Sequence, residues 1–135
     1  MRETFVDTFA WIALLNSRDS MHERVKKIFA DLRKQKYQFI TTEFVLLEFA
    51  NSLCGTNFRG KAAIFIDGLR NSPDVEISSA SSELFSAGLE LYRDRLDKEW
   101  SLVDCTSFVV MEDRKITEAF TGDSDFEQAG FKRII

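Results

Sequence analysis

The chain has one proline, one histidine and two cysteines in 135 residues. Against thirteen phenylalanines, the lone Pro73 implies a compact core that tolerates helices. Cys54 and Cys105 have no metal-ligand spacing and are read as free, buried thiols of a reducing compartment. No apolar run approaches the roughly 18 residues of a membrane span, so no membrane partner is expected. The opening MRETFVDT lacks the apolar centre of a signal peptide, and the expected location is the cytoplasm. Positive charge is not in excess either. The net charge is −4 and the pI about 5.1, unlike a general nucleic-acid binder. Repeats, low-complexity tracts and linkers are missing, so 1–135 reads as one domain, long enough to bury a core without staples.

Charge is unevenly spread. From Arg18 to Lys36 seven Lys or Arg stand against three acids, and from Asp74 to Asp104 eight acids stand against three bases. The basic run reads first as a solvated helix face, with a track for a substrate backbone as the functional alternative.

Strand-like and helix-like segments alternate. Short β-type runs are expected at Thr4–Val6, Tyr37–Ile40, Val75–Ile77, Ile116–Phe120 and Lys132–Ile135. Between them, helices are expected from Thr8, from Ser20 (with Glu23 at capping-box spacing), and from Thr41 or Thr42 to a Gly55 stop. Others are expected from Asn57 to Asn71, from the serines at 79–82, from Ser101 through Met111, and from Ser124, where Glu127 again has capping-box spacing. This alternation predicts an α/β domain with a mainly parallel sheet, whose site lies outside the carboxyl ends of the strands.

Several carboxylates fall where such a site would be. Asp7 follows a strand and serves equally well as a helix cap or a site residue. Glu48 shares an arc with Asn51 and Ser52, opposite Leu46 and Leu53, which by itself is a solvated face. Asp104 stands three residues after Ser101 in a helix apolar on nearly every side. Capping explains its tolerance there without excluding a site. Asp123 and Asp125 bracket Ser124 and read equally as first-turn acids favoured by the helix dipole. Separate caps do not explain why converging strand ends and helix starts all carry acids. Carboxylates crowded into one cleft repel, and a hard divalent cation with oxygen ligands relieves that repulsion.

The phrases FVDT, TTEFVLLEF, WSLVDCTSFVVM and FTGDSDFEQAGF, in this order and spacing, resemble the PIN domain, most nearly the VapC-type toxins and their stand-alone bacterial relatives. The likeness spans essentially the whole chain. It implies a three-layer α/β/α sandwich around a parallel sheet and an endoribonuclease that uses Mg²⁺ or Mn²⁺. Position by position, Asp7, Glu48, Asp104 and Asp123 match the family's acidic quartet, with Asp7 and Asp104 as its most direct metal ligands. Glu48, Asp123 and Asp125 are the secondary ligands, and Thr8, Ser107 and Thr121 match polar neighbours of the acids. Phe9 replaces a commoner Ser at the pocket floor, and Asp125 stands where many relatives carry His. The resemblance further implies an RNA substrate, an antitoxin partner docking near helices that carry Phe44, Phe58 and Phe65, and a homodimer. His22 is read as a surface or packing residue rather than a general base.

Two other classes compete. A receiver-type signalling domain needs a phosphoacceptor Asp after the third strand and a later Lys beside it, and no Asp follows Ile77 closely. A PIN-fold module that binds RNA or protein without cutting fits the net negative charge, but all four matching acids are present.

Overall fold

The computed structural model describes residues 2–135. Five strands form one sheet: β1 (Glu3–Val6), β2 (Gln38–Thr42), β3 (Val75–Ser78), β4 (Glu118–Phe120) and β5 (Lys132–Arg133). Their spatial order is β3-β2-β1-β4-β5, and every pairing is parallel, so the expected mainly parallel sheet is wholly so. The central strands are short and buried on both faces, and therefore read as apolar runs rather than alternations.

Register assigns the two faces. Thr4 pairs with Phe39 and Val6 with Phe120, while Phe5 pairs with Ile40 and Ala119. On the face of Phe39 and Phe120 lies Phe29 of α2 (His22–Lys34), with ring centroids 4.5 and 6.3 Å away. Trp11 of α1 (Thr8–Leu15) packs edge-on against Phe29 and donates its indole N–H to Thr41, 3.2 Å away. The opposite face carries Phe5, stacked on Phe126 of α7 (Asp125–Gln128). Phe126 in turn meets Phe108 of α6 (Leu102–Arg114). Helix α3 (Glu43–Ser52) and α4 (Arg59–Arg70) pack beside α1, and α5 (Ser82–Asp94) lies along α6. The result is the three-layer α/β/α sandwich. Among the described residues no helix is long and apolar enough to cross a membrane.

Several local expectations are corrected. Ser20 does not cap α2, which starts at His22 after Met21. Asp19 Oδ1 accepts the Met21 N–H at 2.8 Å and holds Ser20 in a turn before the helix. Ser124 does not cap α7 either: its backbone is already helical, and Asp123 Oδ1 accepts the Asp125 N–H at 2.9 Å. Helix α4 begins at Arg59 rather than Asn57, because the Gly55 carbonyl takes the N–H groups of Phe58 and Arg59 in the preceding turn. Cys54 is exposed, at the loop after α3, whereas Cys105 is buried as expected. Strands β4 and β5 are shorter than the apolar runs that contain them. By contrast Thr42, Ser81 and Ser101 each accept the amide three residues on and cap α3, α5 and α6.

Candidate active site

Strand β1 is central, and the chain leaves it for β2 on one side and reaches β4 on the other. The crevice outside the carboxyl ends of β1 and β4 is therefore the topological switch point. Asp7 stands there, the first residue past β1 and 4% exposed. It occupies the N-cap position of α1 but makes no side-chain cap. Its carboxylate instead accepts the Thr121 hydroxyl at 3.0 Å, and Thr121 Oγ1 accepts the Asp123 N–H at 3.0 Å. One buried hydroxyl thus ties the end of β1 to the loop after β4.

Thr8 extends the arrangement to α3. Its hydroxyl lies 2.5 Å from Glu48 Oε1 and donates to it, which turns this half-buried carboxylate toward the β1 end. From the other side, Asp104 enters at the third position of α6. The capping box is complete: Ser101 Oγ accepts the Asp104 N–H at 3.0 Å, and Asp104 Oδ2 accepts the Ser101 N–H at 3.2 Å. Cap and cluster are compatible, because a carboxylate has a second oxygen. Carboxylate oxygens of Asp104, Asp123 and Asp125 all lie within 4.8 Å of one another.

Electrostatics report the strain of this gathering. Burial pushes the Asp7 carboxyl up to about 6, partly offset by the Thr8 amide and the Thr121 hydroxyl, while Glu48 and Asp123 push it further. Burial likewise raises Asp104 to about 7, with added repulsion from Asp7, Asp123 and Asp125 against the lowering bond from Ser101. Asp125 is also raised, first by burial and then by Asp123. Among the described residues no Lys, Arg or His pairs with Asp7, Glu48, Asp104, Asp123 or Asp125. Arg133 comes near but donates to the Gly122 carbonyl at 2.8 Å and pairs with Glu127 at 3.3 Å. An all-carboxylate donor set without protein counter-charge suits a hard divalent cation.

The structure groups the expected residues unevenly. The tight triad contains Asp125, a secondary ligand by resemblance, whereas Asp7 sits deeper and is coupled to Asp104 through space. Thr8 and Thr121 contact carboxylates directly. Ser107 does not: it is fully buried, and its hydroxyl donates to the Val103 carbonyl at 3.2 Å. His22 Nδ1 lies 2.7 Å from the Ala13 carbonyl, where it links α2 to α1. Two features escape sequence reasoning. Arg133 braces Gly122, and a Cβ at Gly122 would overlap the tip of the Phe9 ring, which would have to move. Nothing in the spacing of Phe9 and Gly122 announces this contact.

The PIN domain model matches residues 4–132. The 23S rRNA-specific endonuclease VapC20 of Mycobacterium tuberculosis is 32% identical over 133 residues, covering 96% of both chains. The crystal structure of VapC20, described as a Sarcin-Ricin loop cleaving toxin, superposes with a TM-score of 0.83 at 31% identity, covering 95% of each chain. VapBC2 from Rickettsia felis, solved with a promoter DNA fragment, gives a TM-score of 0.72 at 12% identity, covering 98% of this chain and 97% of that one. FitAcB from Neisseria gonorrhoeae gives 0.67 at 15%, covering 98% and 96%; these last two share the fold alone. With all but the two end residues of its sheet, both helical layers and the carboxylates at the switch point inside the matched span, this chain belongs to the PIN domain family.

Proposed function

We propose that 1–135 forms one metal-dependent endoribonuclease domain that acts as the toxin of a toxin–antitoxin pair. The observation that carries this reading is the unpaired carboxylate cluster of Asp104, Asp123 and Asp125, with Asp7 and Glu48 beside it. The 32% identity to a protein named as a 23S rRNA endonuclease supports the choice of RNA.

Asp104, Asp123 and Asp125 would hold the cation, with Asp7 and Glu48 completing the set. A bound Mg²⁺ or Mn²⁺ supplies charge neutralisation at the phosphoryl oxygens and a lowered pKa for the attacking water. The chain's own residues do the positioning. Thr121 fixes Asp7 against Asp123, Thr8 fixes Glu48, and the Ser101 cap fixes Asp104, so the acids are held in place for the cation that meets the phosphodiester. Glu48 and Asp123 would orient water for in-line attack on the phosphorus. As the new P–O bond forms, the water's proton passes to the carboxylates, the bond to the sugar oxygen opposite breaks, and that oxygen takes up a proton from solvent. The toxin role calls for an antitoxin that covers the cleft. Leu47 (60% exposed) and Ile64 (74%) offer apolar surface on α3 and α4 for that partner or for a second copy, whereas Phe65 packs inward on Trp11 and Phe49.

The test is incubation of purified protein with 23S rRNA in Mg²⁺, Mn²⁺ or EDTA, beside Asp104→Asn. Discrete cuts that require the metal and vanish in the variant are expected. Binding of RNA without cleavage in Mn²⁺ would favour the silent binding module instead.

A further inference from the structure

The turn that joins α5 to α6 forms a cavity of about 290 Å³, on the side of Ser101 and Cys105 that flank Asp104. Its floor is Trp100, which packs edge-on against Phe108. Over the indole ring stand two cations, the Arg95 guanidinium at 5.0 Å and the Lys98 ammonium at 5.9 Å from the ring centroid. Tyr92 (47% exposed) and Leu96 (86%) supply open ring and aliphatic surface to the wall. Ser101 and Cys105 close it on the α6 side, and both flank Asp104. Glu99 also lines the cavity, and Ser101, whose backbone N–H donates to Asp104 Oδ2 at 3.2 Å, joins its wall to the cluster.

The two cations are not equivalent. Arg95 is held by Asp97 through two bonds of 2.9 and 3.0 Å and is already neutralised. Among the described residues Lys98 forms no direct salt bridge, although its charge helps hold the neighbouring Asp97 carboxyl low, and its backbone N–H donates to the Arg95 carbonyl, so the turn that presents it is closed. The stretch from Asp74 to Asp104 carries eight acids and three bases, and two of those bases line this cavity.

We propose that the cavity between α5 and α6 binds one nucleotide of single-stranded RNA next to the scissile phosphate, its phosphate on Lys98 and its base against Tyr92. This rests on the nuclease reading above and extends it to how the substrate is seated. An acidic, metal-seeking cleft attracts only the phosphate that meets the cation, and the flanking polyanion needs a cationic and aromatic surface within reach. An open ring beside an ammonium without a direct salt bridge is the pairing that non-coded single-strand recognition uses. A cavity close to the lower bound of small-ligand sites, about 300 Å³, suits one nucleotide rather than a duplex.

The experiment measures RNA binding in EDTA, and cleavage in Mn²⁺, for wild type, Lys98→Ala, Tyr92→Ala and Tyr92→Phe. Tyr92→Ala should weaken binding and raise KM by about tenfold, while Tyr92→Phe keeps both because it keeps the ring. Lys98→Ala should lower the slope of log K against log salt by about 0.7, the share of one single-strand phosphate. In each variant kcat should stay within about twofold of wild type, since the carboxylates are untouched. Unchanged binding, KM and salt slope in Tyr92→Ala and Lys98→Ala, beside a wild type that cleaves, would overturn the subsite, leave the cavity to a protein partner or to solvent, and spare the nuclease reading. A wild type that neither binds nor cuts RNA in Mn²⁺ would sink both.

Discussion

Single hydroxyls and amides decide how the acids sit. Thr121 takes part in two of the bonds that assemble the cleft, so Thr121→Val should lower divalent-metal affinity or cleavage about 10- to 100-fold while the fold persists. Calorimetric titration with Mn²⁺ beside a cleavage assay checks this. Gly122→Ala should cost less in rate, within about tenfold, because the added methyl meets the tip of the Phe9 ring, and that ring or the loop before Asp123 must shift. Partial rescue of that loss by Phe9→Ala in the double variant would identify the overlap as the cause. At this scale the sequence was legible in part. Asp7, Asp104 and Asp123 stand out as acids at strand ends and helix starts. Glu48 does not, because the contact that orients it comes from Thr8, forty residues away in the chain.

At the scale of elements, Ser-x-x-acid spacing marks three helix starts, and only Ser101 builds the box. The two failures share a cause. Asp19 precedes Ser20 and Asp123 precedes Ser124, and each Asp accepts the N–H two residues ahead, so a turn forms before the serine can cap. Ser101 follows Trp100, which has no such acceptor. Ser101→Ala should therefore destabilise the protein by about 1 kcal/mol and release Asp104 as well, lowering cleavage more than stability. Urea unfolding beside initial cleavage rates separates the two effects. Strand placement was the most legible feature, since buried parallel strands are short apolar runs. Strand length was not, because the edge strand β5 pairs over only two residues although Ile134 and Ile135 continue the run.

For the whole molecule, the fold concentrates burial where it concentrates negative charge. Unfolded carboxyls ionise near 3.8, while Asp7 and Asp104 hold their protons to about pH 6 and 7 in the folded chain. Between about pH 4 and 7 the folded state binds more protons than the unfolded one, so metal-free stability should fall as pH rises. The loss is at most about 1.4 kcal/mol per pH unit for each group. Urea unfolding in EDTA across this range should show the decline in wild type and a shallower one in Asp104→Asn. A pH-independent difference between the two would remove Asp104 from the account. The sheet order and the cleft at its switch point follow from the α/β alternation. That no cation among the described residues pairs with the cluster becomes visible only once the chain is folded.

The most direct measurement is calorimetric titration of Mn²⁺ into wild type and Asp104→Asn at pH 8 and pH 5. Wild type should bind at pH 8 and bind far more weakly at pH 5, where Asp7 and Asp104 hold protons that the metal must displace. Asp104→Asn should bind weakly at both. Equal binding by both proteins, or none by wild type at pH 8, would contradict the metal site on which the proposed activity depends.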